Sequence, residues 1–167
     1  HLLFLVFFFF FFALAQTFTL STMPTSNGGN GQSGISFNVG ASSNLLIKSI
    51  SASFLTGAHN VSVWYKTTPI NGTPGAINAA SGWNQIGTTV PLTGTTAATT
   101  APVLQQIPIP MNLLVPAGQT YGFVVITSGT LVYTTYTAAM PVSVTDGRMT
   151  IFFGPNVGYG GNPPTIA

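Results

Sequence analysis

The side chains able to do acid–base or nucleophilic chemistry are few: His1, His59, Asp146 and a large set of serines and threonines, with no glutamate and no cysteine. A Ser-His-Asp arrangement can be assembled on paper from His59, Asp146 and a serine. That chemistry needs an imidazole to take the hydroxyl proton and a carboxylate to orient the ring. The surroundings do not favour it. No G-x-S-x-G elbow occurs, the nearest strings being Gly31-Gln32-Ser33-Gly34 and Gly40-Ala41-Ser42-Ser43-Asn44. Asp146-Gly147 reads as a hairpin turn, where a carboxylate ordinarily binds nearby backbone, and His59 heads a predicted strand. We expect no enzyme activity and assign no catalytic residue.

Charge scarcity excludes more. Lys48, Lys66, Arg148 and Asp146 are the formal charges, 2% of 167 residues, against about a quarter in an ordinary soluble domain. Two-carboxylate glycosidases, aspartic dyads, carboxylate cages for magnesium or calcium and thiol chemistry all lack their residues. One histidine and one aspartate after a leader cannot supply three or four metal ligands, so neither metal nor cofactor is expected; a calcium site of backbone carbonyls and Asn side chains stays open. Gly29-Asn30-Gly31-Gln32-Ser33-Gly34 matches G-x-G-x-x-G but precedes a β pattern, with no acid before Asp146. A dinucleotide site needs a helix there and an acid about twenty residues on; a flexible glycine loop is the simpler reading. The isoelectric point near 9.2 comes from three basic residues against one acid. No basic stripe is available to neutralise phosphates, so nucleic acid is not an expected partner.

Aromatic residues carry the remaining chemistry. Period-two alternation along His59–Lys66 puts Val61, Val63 and Tyr65 on one face and Asn60, Ser62, Trp64 and Lys66 on the other. Trp64 then lies on a polar face, and Trp83 borders a glycine- and proline-rich loop. Two exposed tryptophans could stack on sugar rings, so Trp64 and Trp83 are the candidate ligand-binding residues. Alternatively Trp64 shields a sheet face beneath a loop, and a one-residue slip in register would turn it inward.

The elements that must position these residues begin with an apolar run, Leu2–Ala15, ending Ala13-Leu14-Ala15 before Gln16. It is shorter than the roughly 18–20 residues that span a bilayer, and its small-x-small ending fits signal-peptidase cleavage. Residues 1–15 read as a secretory signal peptide, a membrane anchor or buried strand being the alternatives. Without it the apolar share falls from 46% to roughly 41%, within the soluble range, and no membrane association is expected. The remainder, 16–167, shows no helical periodicity. Strands are predicted near 17–22, 35–39, 45–54, 59–67, 83–89, 103–109, 121–128, 130–136, 142–145 and 149–153. Such spacing, about nine or ten short strands, predicts an all-β, two-sheet antiparallel sandwich of jelly-roll or Greek-key type. Thr68–Gly82 and Thr93–Pro102 are expected as polar loops with little to bury. The Gly/Pro-rich tail reads as a domain truncated before its last strand.

Several stretches occur together in a familiar order: GGNGQSGISFNV, NLLIKSISASFLTGAHNVSVWYKT, GWNQIGT, IPIPMNLLVPAGQTYGFVVITSGTLVYT and DGRMTIFFGPNVGYGG. Over about Gly28–Gly161 the chain resembles a β-sandwich module found in secreted Bacteroidetes proteins that carry a C-terminal type IX secretion sorting domain. Pro116–Val125 and His59–Thr67 are the most specific pieces. The resemblance implies a cell-surface or released multidomain protein and brings no activity or binding residue with it. The sorting domain is absent from this sequence, as is the module's usual final strand after the GYGG turn. The expected function is a non-catalytic extracellular structural or adhesive module. The alternatives are a carbohydrate-binding module using Trp64 and Trp83, with polysaccharide as partner, and a self-associating, strand-exchanging surface subunit.

Overall fold

A computed structural model of the chain describes residues 16–22, 30–133, 142–154 and 157. The predicted leader, 1–15, and the tail turn fall outside the described residues. Within them the chain is all-β, with one short 3-10 turn at Ala79–Ser81. The strands are β1 (Asn30–Ala41), β2 (Leu45–Ile47), β3 (Ser51–Phe54), β4 (Gly57–Lys66), β5 (Asn84–Gly94), β6 (Leu104–Gln106), β7 (Leu113–Val115), β8 (Thr120–Tyr133), β9 (Ser143–Thr145) and β10 (Met149–Phe152). A large antiparallel sheet runs β5-β4-β8-β1-β10-β9, with β3 joined to the far end of β8 and β6 to β3; β2 and β7 form a small second sheet.

β8 organises the large sheet. Its first half lies between β4 and β1, and its second half between β3 and β1. The change happens at Thr127–Thr130, where β8 carries extra residues opposite Ser33 of β1: Gly34 pairs with Ile126, but Gln32 pairs with Leu131. A bulge of this kind bends a strand and re-aims its side chains. Phe123–Thr127 are all buried, because both faces of the sheet are covered. On one face Val39, Val61, Val63, Phe123 and Val125 pack against Leu45, Ile47, Ile107, Ile109 and Val115 from the β2–β3 and β6–β7 segments. On the other face Val124, Ile126 and Trp64 pack against Ile70, Ile77 and Trp83. Two-sided burial is why this segment is a continuous apolar run rather than an alternating one.

Several expectations are corrected. Segment 17–22 is not a strand, although Phe18 packs on the core. The predicted 121–128 strand and the described part, 130–133, of the predicted 130–136 strand are one, since Gly129 sits inside the bulge and not in a turn; residues 134–136 lie outside the described residues. β7 is an additional strand that the sequence does not predict, because three residues show no period. The Gly29–Gly34 string is not a loop: from Asn30 it is strand, and Gly31 and Gly34 sit against β8, where a Cβ on Gly34 would come within 3.1 Å of the Val125 carbonyl oxygen. The two long loops also have much to bury. Ile70, Ile77 and Thr96 lie at 6%, 0% and 0% exposure. Thr96 Oγ1 shares a 2.6 Å hydrogen bond with Ser53 Oγ and accepts from the Val103 amide.

The hairpin at Asp146-Gly147 is present, with a different central pair. The Asp146 amide donates to the Met149 carbonyl, leaving Gly147-Arg148 in the middle, and only Gly147 has positive φ, 88°. That sign pattern belongs to a II′ turn, in which glycine takes the first central position.

The described edges of the large sheet are blunted. β5 pairs only with β4, and its outer side is interrupted by a register shift around Gly87 (φ 62°) and by Pro91, which has no N–H to offer. β6 and β9 span three residues each, and prolines at 102 and 108 flank β6. Short strands, bulges and prolines discourage pairing with another chain.

Candidate functional site

His59 is the one described histidine, and its surroundings decide what it can do. The ring is 5% exposed, in a space between β4, the end of β5 and the β8 bulge. Two glycines make that space: a Cβ on Gly129 would lie 2.5 Å from the ring, and one on Gly94 would lie 2.8 Å from Nε2. Nε2 is 2.7 Å from the Leu55 carbonyl oxygen, which can only accept, so Nε2 carries the proton. Nδ1 then accepts from the Thr127 hydroxyl at 3.0 Å, while Thr127 Oγ1 accepts in turn from the Gly129 amide. Both ring nitrogens are thus engaged within the protein. Ser128, the nearest serine in sequence to Thr127, uses its Oγ to accept from the Asn60 amide.

Asp146 stands at the other end of the sheet. Three strand spacings and about eight residues of rise separate it from His59, roughly 25–30 Å by standard strand dimensions. Its Oδ1 accepts from the amides of Met149 and Arg148, each at 2.9 Å, and Oδ2 lies 3.4 Å from Arg148 Nη2. The Met149 amide first, then the Arg148 amide, hold its carboxyl below the ordinary aspartate value, and the Arg148 charge adds to them. His59 and Asp146 therefore do not meet, and each is committed to a turn or bulge. Among the described residues no three His, Cys, Asp or Glu side chains come together to hold a metal ion, and no helix is long and apolar enough to cross a membrane.

The tryptophans differ from the expected stacking platform. The predicted register of β4 is correct, with Val61, Val63 and Tyr65 on the core side and Ser62 and Trp64 opposite. The opposite side is not open, because residues 67–83 fold across it. Asn38 pins that loop with a two-point contact: its Oδ1 accepts from the Ile70 amide at 2.8 Å and its Nδ2 donates to the Ile70 carbonyl at 3.0 Å. Gly122 leaves room for Ile70, whose Cγ1 would lie 2.7 Å from a Cβ there. At the loop's end Asn78 caps the 3-10 turn and Gly82 takes φ 78°, turning the chain so that Trp83 enters the core. Trp83 is 1% exposed, its Nε1 has no hydrogen-bond partner among the described residues, and Lys66 Nζ sits 5.1 Å above its ring. Trp64 is half-buried and donates from Nε1 to Ser62 Oγ at 3.1 Å. The expectation of two exposed indoles is corrected: a loop that reads as polar supplies Ile70 and Ile77 to cover them. The signal that could have found this was the pair of isoleucines in Thr68–Gly82, spaced to reach one sheet face twice.

No protein-family model matches the chain, and no curated protein matches it significantly.

Two expected results follow from this geometry. His59→Ala takes the acceptor from the Thr127 hydroxyl proton and the side-chain donor from the Leu55 carbonyl in a buried space, and it should cost about 2–3 kcal/mol by urea denaturation. An unchanged midpoint would show that the ring ties nothing together. The pH dependence should centre on Asp146, the single acidic side chain. Its folded-state pKa is lowered, so its contribution is present above the unfolded value and is lost as pH falls through the folded one. Thermal midpoints should drop modestly between about pH 5 and pH 2 in the parent, and less in Asp146→Asn.

Proposed function

We propose that the chain is a non-catalytic extracellular β-sandwich module, structural or adhesive, belonging to a larger exported protein of the type IX secretion kind it resembles. The observation that carries this reading is the use made of His59. The chain's one mature general base is buried, bonded at both nitrogens and remote from the one carboxylate, so it serves to join strands. The covering of both faces of the large sheet supports the same reading, since the apolar side chains of both faces are taken up in packed cores. The β2–β3 and β6–β7 segments lying over that sheet favour a sandwich. A surface polar through Thr, Ser, Asn and Gly suits a part whose task is insensitive to salt and pH.

The test is a substrate survey with the purified mature chain against esters, peptides and glycans, paired with His59→Ala and checked by circular dichroism. No turnover is expected. Reproducible turnover that disappears in a folded His59→Ala variant would overturn the proposal. Blunted edges favour this reading over strand exchange, and sedimentation of the mature chain should accordingly show a monomer.

A further inference from the structure

We propose that Gln16 is a modification site, closing to an N-terminal pyroglutamate once the leader is removed. The inference rests on the secretory reading of residues 1–15 and adds a covalent step to it. Cleavage after Ala13-Leu14-Ala15 makes Gln16 the first residue. An N-terminal glutamine carries its own electrophile, because the α-amine can reach the side-chain amide carbon in a five-membered ring. In the step the amine nitrogen bonds to Cδ and the Cδ–Nε2 bond breaks. The amine proton leaves with Nε2 as ammonia, so no oxidant or co-reactant is needed.

The structure supplies the setting. Phe18 packs on the core and under the Arg148 guanidinium, whose carbon lies 4.3 Å from the ring centroid. This anchor holds exposed Gln16 beside the β9–β10 hairpin, with Arg148 Nη1 3.4 Å from Gln16 Oε1. A guanidinium at that oxygen polarises the amide carbonyl and stabilises negative charge that develops on it during attack. The same cation disfavours the protonated state of a nearby α-amine, raising the fraction free to attack. After closure the lactam oxygen still accepts from Arg148, and the like charge of the terminal ammonium is gone. Arg148 is a positioning and polarising residue here, and Asp146 balances its charge from the other side at 3.4 Å.

The experiment is intact-mass and N-terminal peptide mass spectrometry on full precursor expressed in a secreting host, sampled at harvest and after incubation at neutral pH. The expected result is a chain starting at residue 16 and lighter by one ammonia, with the loss located on the first residue. Gln16→Ser should show no loss, which separates cyclisation from succinimide formation at Asn-Gly pairs such as Asn71-Gly72. Arg148→Ala should slow conversion about two- to threefold, as a screened charge shifts an amine by a fraction of a pK unit. A chain that begins at Gln16 and keeps its ammonia through incubation overturns the inference and leaves the leader reading standing. A chain that retains residues 1–15 overturns both.

Discussion

Trp83→Ala is expected to be among the most damaging single substitutions, costing about 3–5 kcal/mol, the range for removing a large buried aromatic. The side chain is 1% exposed and forms one wall of the small core shared by Ile70, Ile77, Val124 and Ile126. Its loss would leave the 67–83 loop held mainly by Asn38 and would uncover the middle of β8. Trp83→Phe separates two effects. Because the indole N–H has no partner among the described residues, deleting it removes a desolvated donor, and that gain of about 1–3 kcal/mol offsets much of the lost ring volume. Urea denaturation should therefore show a far smaller drop for phenylalanine than for alanine. Equal losses would mean that the indole nitrogen is satisfied in solution. Lys66, above the ring, adds a cation–π contact of about 0.5–1 kcal/mol that survives in the phenylalanine variant only weakly.

Gly94→Ala should be comparably severe for a different reason. A methyl group at this position would collide with the Leu55 carbonyl and would come within 2.8 Å of His59 Nε2. Backbone cannot yield as a flexible side chain does, so overpacking at the upper end of its usual range, about 3 kcal/mol, is expected. The local consequence is larger than the number, because the Leu55 carbonyl is the acceptor that fixes the His59 ring. Gly94→Ala should thus lose most of its stability to the same region that His59→Ala disturbs. In the double variant the two costs should fall short of their sum, since residues sharing a partner are coupled. Full additivity in a denaturation cycle would rule out that shared cause.

The all-β class was legible from turn residues recurring every few positions, and most strands follow directly. The two faces of β4 were readable because its sequence alternates, although the strand starts two residues before the predicted 59 and ends at Lys66. What could not be read was how the faces are covered. Ser62 and Trp64 look like a wet face until Ile70 and Ile77 are known to lie on it, and those isoleucines sit among prolines and glycines that signal loop. The double coverage also explains Phe123–Ile126, which no alternating pattern can describe. The boundary at Gly129 failed for a related reason: glycine marks turns and bulges alike, and only the imidazole packed against it tells them apart. At the candidate site, the commitment of Asp146 to its hairpin followed from the Asp-Gly pair, whereas the burial of His59 depended on glycines 35 and 70 residues away in sequence, Gly94 and Gly129, which no local pattern connects to it.

The long β8 also sets a timetable. It pairs along nearly its whole length with β1, from Gly40 opposite Thr120 to Asn30 opposite Tyr133, so the central ladder joins the beginning of the described chain to its last third. Loop closure over such separations precedes any reward, and sheets dominated by distant pairings fold in roughly milliseconds to seconds. Until β8 is available, β1 and β4 have no strand between them and the two cores lack their common wall. A chain built this way stays open until late in its own synthesis. Under the export proposed above, that delay would keep the polypeptide passable until the sheet closes on the far side.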